Sequence, residues 1–183
     1  MVDQPSAARA VTEDSVVVRD PAVRWFAIWT RSRHEQRVRD QLESQQVEAF
    51  LPTITKWSHW KDRRKRIDWP LFPGYCFVRF DAKERLPVLK LLGVVSIVSV
   101  NGEPAPIPDH EIEGLRVLVE SDLAFDPCPL IREGSLVEVT HGPLKGVVGR
   151  LLRKNERARL VLSVDLIGQA VSVEVDAGDV RPY

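Results

Sequence analysis

The residues with chemistry to offer are four histidines, two cysteines and one dense basic run. His34, His59, His110 and His141 are scattered, and no Cys/His pair has the spacing of metal ligands. No glycine-rich phosphate loop, dinucleotide fingerprint or nucleophile elbow occurs. Cys76 lies inside an apolar run and reads as a buried thiol rather than a nucleophile. The chain is therefore expected not to be an enzyme and to need neither metal nor cofactor.

Binding is better supplied. Between Lys56 and Arg66 the cations Lys56, Lys61, Arg63, Arg64, Lys65 and Arg66 face a single Asp62, although the whole chain has a formal net charge of zero. Trp57 and Trp60 are interleaved with them, adding surfaces on which bases can stack. A cluster this dense is an electrostatic footprint for nucleic acid; a plain solvated loop is the equal alternative. A second set, Trp29, Phe72, Pro73, Tyr75 and Phe77, is aromatic. It reads either as an apolar docking pocket or as ordinary core. Successive strand residues point to opposite faces, so Tyr75 and Phe77 share one face while Cys76 and Val78 share the other.

These groups need elements to position them. The segment WFAIWT, residues 25–30, has the β-branched and aromatic content of a core strand. Ser32 followed by Glu35 predicts a capping box, with Val38 and Leu42 inward one turn apart. A strand near AFLPTITKW and another in WPLFPGYCFVRF flank the basic segment and make it the tip of a hairpin. Asp81 opens a helix carrying Leu86, Leu89 and Leu92, its regular part delayed by Pro87. GVVSIVSV is a further strand. Asp109 caps a last helix with Ile112, Leu115 and Val119 on one face. Residues 120–131 hold Pro127 and Pro129 without a clear period and read as a linker. Beyond them the period becomes two, in Val137/Val139, Leu160/Leu162/Val164 and Val171/Val173/Val175, which implies a small closed barrel without exposed edges.

The expected organisation is thus a disordered tail (1–23), a mixed domain (24–119), a linker (120–131) and a β-barrel (132–183). The fold class is α+β: an N-terminal α/β sandwich with a mainly antiparallel sheet and flanking helices, joined to a small SH3-like barrel. With no apolar run near 20 residues and no signal-peptide pattern, the chain is expected to be cytoplasmic, away from membranes, and a monomer.

Two stretches carry a family resemblance. LFPGYCFVRF, residues 71–80, resembles the strand signature of the NusG family of transcription elongation and antitermination factors. REGSLVEVTHGPLKGVVGRLL, residues 132–152, resembles the KOW motif around its central Gly146. With WFAIWT ahead of them, the resemblance spans roughly residues 24–183. It implies an N-terminal domain that docks on the clamp helices of RNA polymerase through Trp29, Phe72, Pro73, Tyr75 and Phe77. It also implies suppression of pausing or termination, and contact with non-template or upstream DNA. For that contact Arg31, Arg33, Arg37 and Gln41 join Lys61, Arg63, Arg64, Lys65 and Arg66. Ser44 stands where a second base-reading cation is expected, which weighs against sequence-specific pausing. The KOW domain is implied to recruit a ribosomal protein or Rho through Leu144 and Ile167. Leu144 occupies a loop position that is aromatic in many relatives, and plugging the barrel end is its equal alternative. Some paralogues refold this domain as an α-hairpin; the alternating valines here favour a lasting barrel. A second class, a KOW-type RNA-binding or ribosome-associated protein, has no need of residues 24–119.

Overall fold

The computed structural model describes residues 22–60, 63–130, 134–154 and 157–183. The expected tail lies outside these residues except for Ala22 and Val23, and Lys61 lies outside them too.

The N-terminal part is built on β1 (Val23–Thr30), followed by α1 (Glu35–Ser44), β2 (Glu48–Phe50), β3 (Thr53–Trp60), β4 (Arg63–Pro70) and β5 (Tyr75–Asp81). A short 3₁₀ turn leads to α2 (Arg85–Leu89), β6 (Val94–Ile97), the small hairpin β7 (Ser99–Val100) and β8 (Glu103–Pro104), then β9 (Pro106–Ile107) and α3 (Asp109–Glu120). The main sheet runs β2-β5-β1-β6, with β9 also on β1, and its ladders are antiparallel. β3 and β4 form their own two-stranded hairpin.

Strand alternation divides this sheet cleanly. Phe26 and Ile28 of β1 and Cys76, Val78 and Phe80 of β5 pack with Val38 and Leu42 of α1 and with Val88 and Leu91. Trp25 and Ala27 of β1 and Phe77 of β5 point the other way. They join Phe72, Ile107 and the α3 residues Ile112, Leu115 and Leu118.

Several local expectations change. The Ser32/Glu35 capping box does not form: α1 starts after His34 without a side-chain cap. Glu35 is buried and its Oε1 instead accepts from the Gly74 N–H at 2.8 Å, a tertiary partner outcompeting the local one. The predicted inward face of α2 faces out, with Leu86 62% and Leu92 51% exposed, because the helix is one turn long and buries Val88, with Leu91 just beyond it. Asp81 does cap, but it caps the 3₁₀ turn, accepting from the Lys83 N–H. In α3 the buried row is Ile112, Leu115 and Leu118 rather than Val119, and Pro108, not Asp109, occupies the N-cap.

The C-terminal part comprises β10 (Phe125–Pro129), β11 (Ser135–Val139), β12 (Val148–Lys154), β13 (Arg157–Val164), β14 (Gln169–Val175) and β15 (Val180–Pro182). They form one antiparallel six-stranded sheet in the order β10-β14-β13-β12-β11-β15. β10 falls within the segment read as linker. Prolines suit it because it pairs only with β14 and lies at an edge, where a missing N–H costs no ladder bond. β15 is the other edge and carries Pro182. Both end strands of this order thus carry proline, in keeping with a small β-domain that protects its edges.

Candidate functional site: an apolar face shared between two domains

The aromatic set does not lie on one exposed patch. Phe72 and Phe77 are fully buried, and their rings meet edge to face with centroids 6.2 Å apart. Tyr75 is half-buried against the same cluster, whereas Pro73 is exposed. Trp29 pairs with Tyr75 across the β1–β5 ladder and is 54% exposed, so it continues the Trp25–Ala27 row out to the rim. Its indole lies beside Gly74, which takes φ +86 to turn the LFPG loop.

Trp25 was not singled out from sequence, although the Trp25–Ala27–Trp29 alternation points to it. It is fully buried, and the Arg116 guanidinium sits 5.0 Å over its ring and 5.3 Å from that of Phe50. Arg116 also donates to Glu48 at 2.8 Å, while Arg79 lies 3.6 Å from Glu48 and 3.9 Å from Asp109. These charges fasten α3 to the sheet.

The apolar cluster does not end at α3. It continues without a break into Val137, Val139, Leu144, Val147, Leu160 and Leu162 of the C-terminal sheet. Gly114 marks the approach: a Cβ there would lie 3.4 Å from Val147 Cγ1 and 3.9 Å from Leu162. Leu144 is only 2% exposed and lies within this cluster. Ile167 is half-buried against the same cluster. Gly142 and Gly146 adopt φ +81 and +84, the left-handed geometry that turns the loop around Leu144. Both regions expected to dock partners therefore feed a single core.

The basic residues form the second feature. In the β3–β4 hairpin Trp57 pairs with Arg66, Ser58 with Lys65, His59 with Arg64 and Trp60 with Arg63. Arg31, Arg33 and Arg37 are exposed, and Arg33 holds φ 61 just before α1. Arg33 and Gln36 line a groove of ≈ 450 Å³ with Ile67, Asp68 and Trp69 at the hairpin base. Trp69 is 51% exposed there. Gln41 is placed differently: its amide donates to the Leu92 carbonyl at 3.0 Å and accepts from the Leu92 N–H at 3.2 Å. It ties α1 to the segment after α2.

Titratable groups divide along the same lines. Burial pushes the Cys76 thiol up to about 12, against a smaller opposing pull from Arg39. Burial also raises Cys128. Glu111 of α3 is raised to about 7, first by burial and then by the nearby Asp165 carboxylate. Among the described residues no group of three His, Cys, Asp or Glu side chains could hold a metal ion, and no helix is long and apolar enough to cross a membrane.

The described residues form an α/β domain with an aromatic sheet face, joined to a small glycine-turned β-domain. The comparisons name the family. The family model described as "Transcription termination factor nusG" matches residues 23–116, and the chain belongs to the NusG family. It is 29% identical to the transcription termination/antitermination protein NusG of Yersinia pestis, over 88% of this chain and 97% of that one. It is 28% identical to that of Escherichia coli O6:H1 with the same coverage. A solved structure described as domain interaction in Thermotoga maritima NusG aligns over 87% of this chain and 97% of that chain, at 20% identity and a TM-score of 0.49. The chain is a NusG-type transcription factor.

Proposed function

We propose that the protein is an elongation and antitermination factor that acts by binding, not by catalysis, with the N-terminal sheet face as its dock on RNA polymerase. The observation that carries this reading is the aromatic row that leaves the core: Trp25 is buried, Trp29 is 54% exposed, and Tyr75, the cross-strand partner of Trp29, is half-buried against the same cluster. A large aromatic left half in solvent beside a desolvated cluster is the usual form of an interface anchor. The clamp helices of the polymerase are the occupant that the family resemblance implies for such a face. Docking and domain closure draw on one cluster, so polymerase engagement is linked to parting of the C-terminal sheet from α3.

DNA contact falls to Arg31, Arg33 and Arg37 together with Arg63, Arg64, Lys65 and Arg66, on the upstream or non-template strand. The exposed Trp69 at the groove beside Arg33 adds a stacking surface. Gln41 is not in this set, because its amide is occupied by Leu92. Recruitment of a ribosomal protein or Rho belongs to the Leu144–Ile167 end of the C-terminal sheet and requires the open form, since Leu144 is buried in the closed one. That Cys76, the one thiol buried in the N-terminal core, stays protonated far above neutrality supports the non-enzymatic reading.

Co-purification of the full chain with RNA polymerase tests the dock. Trp29→Ala combined with Tyr75→Ala removes two anchors and is expected to cost several kcal/mol, about a hundredfold or more in affinity. Circular dichroism confirms that the variant is folded. A folded double variant that binds polymerase as the parent does sinks the assignment.

A further inference from the structure

Along the contact between the two domains, α3 meets β12 and β13 with Gly114 in near-direct contact with Val147 and Leu162. Beside this packing lies a cleft of ≈ 200 Å³ lined by His110 and Glu111 of α3, Leu136 of β11, Arg150 of β12 and Asp165 at the end of β13. Glu111 reaches across it. One carboxyl oxygen accepts from the Asp165 backbone N–H of the other domain. The other, Oε2, is buried and has no hydrogen-bond partner among the described residues. A buried carboxylate oxygen without a donor is costly when ionised and far less so when it carries a proton.

We propose that Glu111 is a proton latch on this seam: the domains hold together while its carboxyl is protonated and part when it ionises. The reading rests on the proposed dock, because parting the seam is what frees the shared apolar cluster for a partner. The charged neighbours set the direction. Asp165, across the cleft, repels an ionised Glu111, and Arg150 lines the cleft without being among the groups that hold its charge. On α3 itself His110 lines the same cleft, while Asp109 lies near Arg79.

The sign follows from linkage. In the closed form the Glu111 carboxyl titrates at about 7, against 4.5 for an unperturbed one, so closure takes up a proton. Its stabilisation of the closed form is complete below about 4.5 and is lost as the pH rises through about 7. Because Glu111 is only half-buried, solvent screening trims the effect, and the open-to-closed ratio is expected to rise on the order of tenfold across this window.

NMR on the full chain, without polymerase, separates this latch from the docking assignment. The Glu111 side-chain carboxyl shift reads ionisation directly, and the Gly149 amide, at the seam, reads closure. Gly114→Leu, which forces a side chain into Val147 and Leu162, provides the open reference. In the parent the Gly149 amide is expected to move toward the Gly114→Leu position with a midpoint near the Glu111 titration. Glu111→Gln is expected to remain at the closed position throughout. Asp165→Asn, which keeps the backbone donor and removes the repelling charge, is expected to lower the midpoint. An unchanged Gly149 titration in Glu111→Gln, an unmoved midpoint in Asp165→Asn, or a Glu111 carboxyl titrating near 4.5 in the closed protein overturns the latch. Loss of polymerase binding in the Trp29/Tyr75 variant touches none of these readouts.

Discussion

The two faces of the N-terminal sheet are both dry, yet they are covered in different ways. One face is closed by α1, by Val88 of α2 and by Leu91, all within residues 26–97. Among the described residues its cover is made from sequence neighbours alone. The other face shares its cluster with α3 and with strands of a second domain far along the chain. A cover borrowed from another domain can be exchanged for a partner at modest cost, because each domain keeps its own backbone ladders. The proposed function and the proposed latch both belong to the borrowed cover.

The contrast can be broken by truncating each side. Leu42→Ala, on the permanently covered face, is expected to cost about 2–5 kcal/mol of N-terminal domain stability by denaturant titration. A loss well under 1 kcal/mol would mean that α1 is as loosely held as the second domain. At the seam, Gly114→Ala sharpens the comparison because one methyl touches both domains. Alanine favours α3 by about 1 kcal/mol over glycine, and the added Cβ would meet Val147 at 3.4 Å and Leu162 at 3.9 Å, ordinary contact distances. The N-terminal domain is expected to gain stability with no quickening of hydrogen exchange at the β12–β13 seam, and faster exchange there would show that the seam has no room for a methyl. The smallest effect on stability is expected from thiol chemistry. Cys76 sits on the permanent face with its thiol held near 12, so alkylation should spare it and mark the half-exposed Cys128 at neutral pH, whether the domains are open or closed. Equal labelling rates would show that the first face opens too.

Much of this frame is legible in the residues. The Val38/Leu42 spacing gives the inner face of α1, and the Tyr75–Phe80 alternation gives both faces of β5. Glycines 142 and 146 announce their turn, and the alternating valines announce the C-terminal strands. The misreadings arise where long-range packing or element length, not the local pattern, decides the outcome. Glu35 has the spacing of a capping box, but the Gly74 N–H lies within its reach. Leu86, Leu89 and Leu92 recur every third residue, yet one helical turn cannot turn all three inward. Pro127 and Pro129 look like linker chemistry, although the same missing N–H groups suit an edge strand. For the candidate site, residue type identified Trp29, Tyr75 and Leu144 without revealing that one is exposed, one half-covered and one buried. The seam itself leaves no local trace. Glu111 reads as an ordinary helix acid until Asp165, far along the chain, is placed beside it.

The edge strand β10 has a consequence for control. Since α3 ends at Glu120 and β10 begins at Phe125, only residues 121–124 join the domains. Such a span reaches no more than about 15 Å. An opened C-terminal domain therefore stays tethered at an effective concentration on the order of millimolar or higher. Any competitor for the shared face must beat that local concentration, so re-closure after release is immediate and needs no second copy of the protein. The shortness of the join, more than the strength of the seam, sets the affinity a partner must bring.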